Sequence, residues 1–137
     1  MFGSLSDARA VLEEYVIKCS AQFAQINEKQ SDKLVGNIKL LIEQNLGNEE
    51  FGLEMVASQL HFSANYIREI FKQKTGESFT DYLFRQRMEL AEKMLDNPSY
   101  QIQEVAWKTG YSDQRYFSRC FKKYKNCTPT EYRMKRE

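Results

Sequence analysis

Histidine, proline and cysteine are scarce in this chain of 137 residues, with one, two and three copies. The lone histidine, His61, leaves a hydrolytic triad or a histidine acid/base relay little to draw on. Its setting, Gln59-Leu60-His61-Phe62-Ser63, reads as the junction of a helix and a turn. Cys19, Cys120 and Cys127 are odd in number and spaced unlike any zinc-ligand set, so they read as structural thiols in a reducing compartment. No GxGxxG, P-loop or HExxH occurs, which argues against an enzyme, and no metal or cofactor is expected. Apolar runs fall short of the roughly 18 residues that a membrane-spanning helix needs. The N-terminus also lacks the basic-then-apolar layout of a secretory signal. A cytoplasmic protein is expected.

A global excess of one charge is missing too: 20 Lys and Arg stand against 19 Asp and Glu, a net of +1. The balance conceals an asymmetry, because residues 1–50 carry a net of −3 and residues 51–137 a net of +4. Residues 115–136 hold eight basic groups and one acid. One basic pole on a near-neutral chain suits a protein that meets a polyanion with one face and something else with the other.

Proline occurs only at 98 and 129, and the remaining breaks are Asn45-Leu46-Gly47-Asn48, Gly52, Gly76 and Gly110. Between them apolar residues recur at spacings of three and four, which predicts an all-α fold. Leu34, Ile38, Leu41 and Ile42 form a stripe ending near Gly47, and Leu53, Val56, Ala57 and Leu60 form the next. Further helices are expected from Ser63 to Thr75, Thr80 to Leu95, Ile102 to Thr109 and Asp113 to Tyr124. The last should open at Thr128-Pro129-Thr130-Glu131 as a full capping box.

An internal repeat organises these helices. Val56-Ala57 and Phe62-Ser63 return 49 residues on as Val105-Ala106 and Tyr111-Ser112. Tyr66, Phe71-Lys72, Thr80 and Tyr82 return 50 residues on as Tyr116, Phe121-Lys122, Thr130 and Tyr132, so one residue is inserted after the serine. Each copy is a short helix, a turn and a longer helix opened by serine, the layout of a helix-turn-helix. At 100° per residue from Asn65, Tyr66, Ile67, Ile70 and Phe71 fall at about 100°, 200°, 140° and 240°, one apolar face. Arg68, Glu69 and Lys72 fall at about 300°, 40° and 340°, clustered around Asn65. In the second copy Tyr116, Phe117, Cys120 and Phe121 repeat the buried face and leave Arg115, Ser118, Arg119 and Lys122 outward. Arginine can donate two bonds to guanine, and asparagine pairs with adenine edges. Ser63 and Ser112 are expected to begin the two helices, where free amides and the helix dipole favour phosphate. Glu69 either accepts from cytosine, rejects other bases or pairs with a nearby lysine. Lys122, Lys123, Lys125, Lys135 and Arg136 read as phosphate contacts or solvated charge. Trp107 lies off its helix's apolar stripe and is expected to be partly buried.

The stretch from Ile102 to Tyr124, with Thr128-Pro129-Thr130-Glu131-Tyr132-Arg133 after it, resembles the signature of the AraC/XylS family of bacterial transcription regulators. Leu53-Glu-Met-Val-Ala, Ser63-Ala-Asn-Tyr, Phe71-Lys72, Thr75-Gly-Glu-Ser-Phe and Tyr82-Leu83 extend the likeness across residues 33–135. It implies seven helices, with two helix-turn-helix units joined by the long middle helix. Each unit would put a recognition helix into successive major-groove segments of double-stranded DNA. By position the base-facing residues would be Asn65, Arg68 and Glu69, then Gln114, Arg115, Ser118 and Arg119. Where the family commonly has glycine this chain has Asn126, which tolerates the same left-handed turn.

Residues 33–137 are thus expected to form the double helix-turn-helix domain, and residues 1–32 a helical linker or dimerisation segment. In Leu12, Val16, Cys19, Phe23 and Ile26 a heptad seam could pair two chains or pack on its own domain. The wording Thr75-Gly-Glu-Ser-Phe-Thr-Asp-Tyr-Leu resembles the branch in which this domain is the output end of a response regulator or sensor. The chain reads as an excised C-terminal piece, or else as a stand-alone regulator governed by abundance. An activator contacting RNA polymerase and associated with the nucleoid when bound is the resulting expectation. The alternative is a module of the same fold that binds protein and has lost DNA binding.

Overall fold

The computed structural model describes residues 28–136, the side chain of Arg136 apart. Among them are seven helices and no strand: α1 Glu28–Gln44, α2 Leu53–Leu60, α3 Ala64–Thr75, α4 Phe79–Leu95, α5 Ile102–Lys108, α6 Gln114–Lys125 and α7 Pro129–Arg136. The seam between Leu12 and Ile26 lies outside the described residues. Helix α1 runs through the boundary expected after residue 32, and Ser31 is already buried with Leu34 and Val35. The packed unit therefore starts earlier than the likeness alone indicated.

Apolar spacing sorts the helices into two cores. Leu34, Ile38 and Ile42 of α1 meet Val56 of α2, Ile67 and Phe71 of α3, and Phe79 and Leu83 of α4. The second core gathers Met88, Ala91 and Leu95 from α4, Val105 and Ala106 from α5, and Phe117 and Phe121 from α6. The sequence repeat is thus a repeat of packing. Phe71 meets Tyr82 edge-on at 5.1 Å between ring centroids, and Phe121 meets Tyr132 edge-on at 5.5 Å. Such pairs add to the burial of each ring, roughly 0.5–1.5 kcal/mol beyond area.

Helix ends repeat as well. Gly76 closes α3 at φ 78° and Asn126 closes α6 at φ 61°, each donating its amide to a lysine carbonyl four residues back, Lys72 O at 2.8 Å and Lys122 O at 2.7 Å. Asn126 therefore makes the left-handed turn expected of it. His61 takes the same role at the end of α2, with φ 62°. Ser78 caps α4 by accepting from the Asp81 amide, which starts this helix one residue before the expected Thr80. The capping box at α7 is only half formed. Thr128 Oγ1 accepts from the Glu131 amide at 3.2 Å, but the Glu131 carboxylate accepts from that hydroxyl at 3.0 Å rather than from the Thr128 amide.

A non-glycine left-handed residue carries a backbone cost that asparagine reduces through its short polar side chain. Asn126→Ala should lower stability by roughly 1 kcal/mol, whereas Asn126→Gly should leave it unchanged or raise it slightly. Urea unfolding of the two variants checks this, and equal midpoints for them would count against the capping role.

Candidate nucleic-acid interface

Helices α3 and α6 occupy equivalent places in the two units, and each buries an apolar face inward. Ile67, Ile70 and Phe71 are buried on α3, as are Phe117 and Phe121 on α6. The opposite faces carry the polar residues expected there. Asn65, Arg68, Glu69 and Lys72 are exposed on α3, and Gln114, Arg115, Arg119, Lys122 and Lys123 on α6. Ser118 is half-buried.

The two outer faces differ in how far they are organised in advance. On α3 Arg68 Nη1 donates to Asn65 Oδ1 at 2.8 Å, so the two side chains form one unit, while Glu69 has no cation within ion-pair reach among the described residues. Pairing of Glu69 with a neighbouring lysine is therefore not what the structure adopts. On α6 the guanidinium of Arg119 lies over the Tyr116 ring, 5.7 Å from its centroid. Tyr116 was expected inside. It is 52% exposed instead, because the ring leaves the core at the edge of the apolar arc and a tyrosine tolerates water on one side. Its hydrogen bond with Cys120 is the main reason that its hydroxyl holds its proton above the ordinary tyrosine value.

The start of α6 departs from the expected symmetry. Ser63 does cap α3, accepting from the Tyr66 amide at 3.1 Å. Ser112 does not begin α6, because the residue inserted after it moves the cap to Asp113. The Asp113 carboxylate accepts from the amides of Arg115 and Tyr116. Ser112 instead donates its hydroxyl to Glu49 Oε1 at 2.8 Å and accepts at its carbonyl from Trp107 Nε1 at 3.3 Å. A carboxylate thus fills the place on α6 where a phosphate was expected. Trp107 is also more open than expected, at 53% exposure.

Lysines divide by partner. Lys125 Nζ reaches Glu92 Oε1, a buried oxygen, at 3.1 Å, so Lys125 serves the packing of α6 on α4 rather than a ligand. Lys72, Lys122 and Lys123 have no acid within ion-pair reach among the described residues. They also sit in last helical turns, where positive charge is favoured by the dipole.

A cleft of about 500 Å³ opens between the units, lined among others by Glu49, Arg87, Tyr111, Asp113, Tyr116 and Arg119. Arg87, which no sequence pattern singles out, donates from Nε to Leu46 O at 3.2 Å and from Nη2 to Asn48 O at 2.8 Å. Burial pulls its pKa below the ordinary arginine value. Burial likewise pushes Tyr111 up to about 12, with the neighbouring Cys120 adding to the shift.

A duplicated helix-turn-helix with two outward polar helices defines a nucleic-acid-binding class of protein, and the comparisons agree. Residues 56–135 match the helix-turn-helix domain family. The transcriptional regulatory protein YesN of Bacillus subtilis is 39% identical over 98 residues, which is 69% of this chain and 27% of that protein. The transcriptional activator RhaR of Mannheimia succiniciproducens is 40% identical over 86 residues, covering 63% of this chain and 31% of its own length. Among solved structures, the C-terminal domain of the two-component response regulator yesN from Fusobacterium nucleatum superposes with a TM-score of 0.69 at 35% identity, covering 72% of this chain and 95% of that one. The corresponding domain of the response regulator AraT from Geobacillus stearothermophilus gives 0.72 at 34% identity, covering 74% and 84%. This chain belongs to the AraC-type helix-turn-helix family, the DNA-binding domains of transcription regulators. It spans about a third or less of the length of YesN and RhaR. No described helix is long and apolar enough to cross a membrane.

Because the folded state holds the Tyr111 proton more tightly than the unfolded chain, stability is fully present below pH 10 and should fall as pH rises from 10 towards 12. Tyr111→Phe should remove that part of the decline. Denaturant midpoints taken across this range for both proteins test it, and parallel curves would mean that Tyr111 ionises like a free tyrosine.

Proposed function

We propose that this chain is the sequence-reading end of a bacterial transcription regulator and that it reads one bipartite DNA site with α3 and α6 in successive major-groove segments. The observation that carries the reading is the pair of exposed polar faces on equivalent helices. Arg115, Arg119, Lys122 and Lys123 have no acid within ion-pair reach among the described residues. Four cations together on one exposed helix face match the phosphate backbone of a duplex. In this reading Asn65, Arg68, Glu69, Gln114, Arg115, Ser118 and Arg119 face bases, and Lys72, Lys122 and Lys123 meet phosphates. Ser63 offers the α3 amides to the backbone. Ser112 acts through its bond to Glu49.

Helix α4, with 17 residues and a rise of about 1.5 Å each, spans roughly 25 Å. That is on the scale of the roughly 34 Å between major-groove segments on one face of a duplex. An activator contacting RNA polymerase is the regulatory mode proposed, in line with RhaR, which is named an activator. The likeness to C-terminal domains of response regulators supports a place at the output end of a two-component protein. The segment from Leu12 to Ile26 is the proposed homodimer contact.

Readers and positioners should separate by mutation. Arg119→Ala should cost roughly 1–3 kcal/mol and relax preference at one base pair, whereas Lys123→Ala should weaken all sequences alike. The same Lys123 change should make the slope of log affinity against log salt shallower by about 1. Titrations on a site selected from random duplex DNA, its single-base variants and several salt concentrations read both effects. A uniform loss for Arg119→Ala would make it a phosphate contact, and a flat salt response would favour a protein-binding module.

A further inference from the structure

Reading two half-sites at once demands a fixed offset between α3 and α6, and the recognition helices cannot supply it themselves. A single helix between the units sets their distance but leaves bending and twisting open. The units meet away from the α4 axis where residues 45–49 of the first lie against residues 108–112 of the second. The approach is tight at a glycine on both sides. A Cβ on Gly47 would stand 3.0 Å from Lys108 O. One on Gly110 would stand 2.7 Å from Leu46 O and 2.9 Å from Arg87 Cζ. Arg87 fills this joint. Its two donors reach Leu46 O and Asn48 O of the first unit, and its guanidinium lies 5.9 Å from the centroid of Tyr111 in the second. The bond from Ser112 Oγ to Glu49 Oε1 at 2.8 Å closes the rim.

We propose that Arg87 is a positioning residue for DNA reading: by tying the first unit's loop to the second unit's turn, it fixes α6 relative to α3 and so sets the base-pair spacing of the site. The inference rests on the two-unit reading above. A guanidinium suits the task because its planar fork holds two carbonyls at once, whereas a lysine ammonium is one compact charge on a flexible stem. Two of the three groups around Arg87 belong to one unit and the third to the other, so its loss frees the joint without opening either core.

The test uses the full chain as Arg87→Met, Arg87→Lys and Gly47→Ala. The last sends a methyl group towards Lys108 O and touches neither core. Each protein is titrated with duplexes whose two halves stand at the selected spacing or are shifted by one or two base pairs, and with duplexes carrying one half alone. Thermal unfolding confirms that each variant is folded. The unaltered chain should prefer one spacing by at least about tenfold, because a shift removes the second unit's base contacts. Arg87→Met and Arg87→Lys should bind single halves as the unaltered chain does and lose most of the spacing preference, down to about threefold or less. Gly47→Ala should flatten the preference or move its optimum. A spacing preference that survives in Arg87→Met overturns the proposal, and so does an equal loss on halves and whole sites, the mark of a phosphate contact. Arg87→Lys behaving like the unaltered chain would equally refute the role of the fork. If the unaltered chain shows no preferred spacing, the two-unit reading itself fails and the proposal falls with it; a preference retained by all variants sinks the proposal alone.

Discussion

Helix α4 belongs to two cores at once, and every other feature of the molecule is arranged around that sharing. Phe79 and Leu83 near its start are buried among α1, α2 and α3, while Met88, Ala91 and Leu95 further along are buried among α5 and α6. Neither core can loosen without exposing part of the same helix, so the two units are coupled through a shared helix rather than a loop. Burying a side chain such as Leu or Met contributes roughly 1.5–3 kcal/mol, so the helix is held by several such terms at each end. Arg87 lies on this helix between the two sets, where a fully apolar residue would leave two loop carbonyls without a donor.

Duplication gave the units the same skeleton and different surfaces. The shared parts are those that packing dictates: the Val-Ala pair of the first helix, the edge-on Phe–Tyr pair and the left-handed residue closing the recognition helix. The outward residues diverge. Asn65 and Arg68 are bonded to each other in the first unit, next to the exposed carboxylate of Glu69. The second presents Arg115 and Arg119 with two lysines behind them and an aspartate cap in front. A carboxylate at this place disfavours phosphate and suits a base edge that can donate to it, so in the proposed reading the first unit contributes discrimination more than attraction. In the same reading the cationic second unit contributes the attraction, and the chain as a whole stays near neutral while its positive charge is concentrated on one side.

The sequence alone determined the seven helices, their order and the outward faces of α3 and α6. Apolar spacing, glycine, proline and capping residues act within a few positions of one another, and the 49- and 50-residue repeats mark equivalent places directly. The junction at His61 and the left-handed turn at Asn126 were legible for the same reason, since both are local events. What the tertiary structure decided depends on which distant segments touch. The inserted residue in the second turn was visible, but only the fold shows that it hands the helix cap to Asp113 and turns Ser112 towards Glu49, 63 positions away. Tyr116 sits where its helical angle leaves burial undecided, and the neighbouring packing resolved it outward. Arg87 is one arginine among many in the sequence. Its place between Leu46, Asn48 and Tyr111 arises because two units folded on one helix bring those loops together, and no pattern of period two, three or four along the chain encodes a contact across some 40 residues.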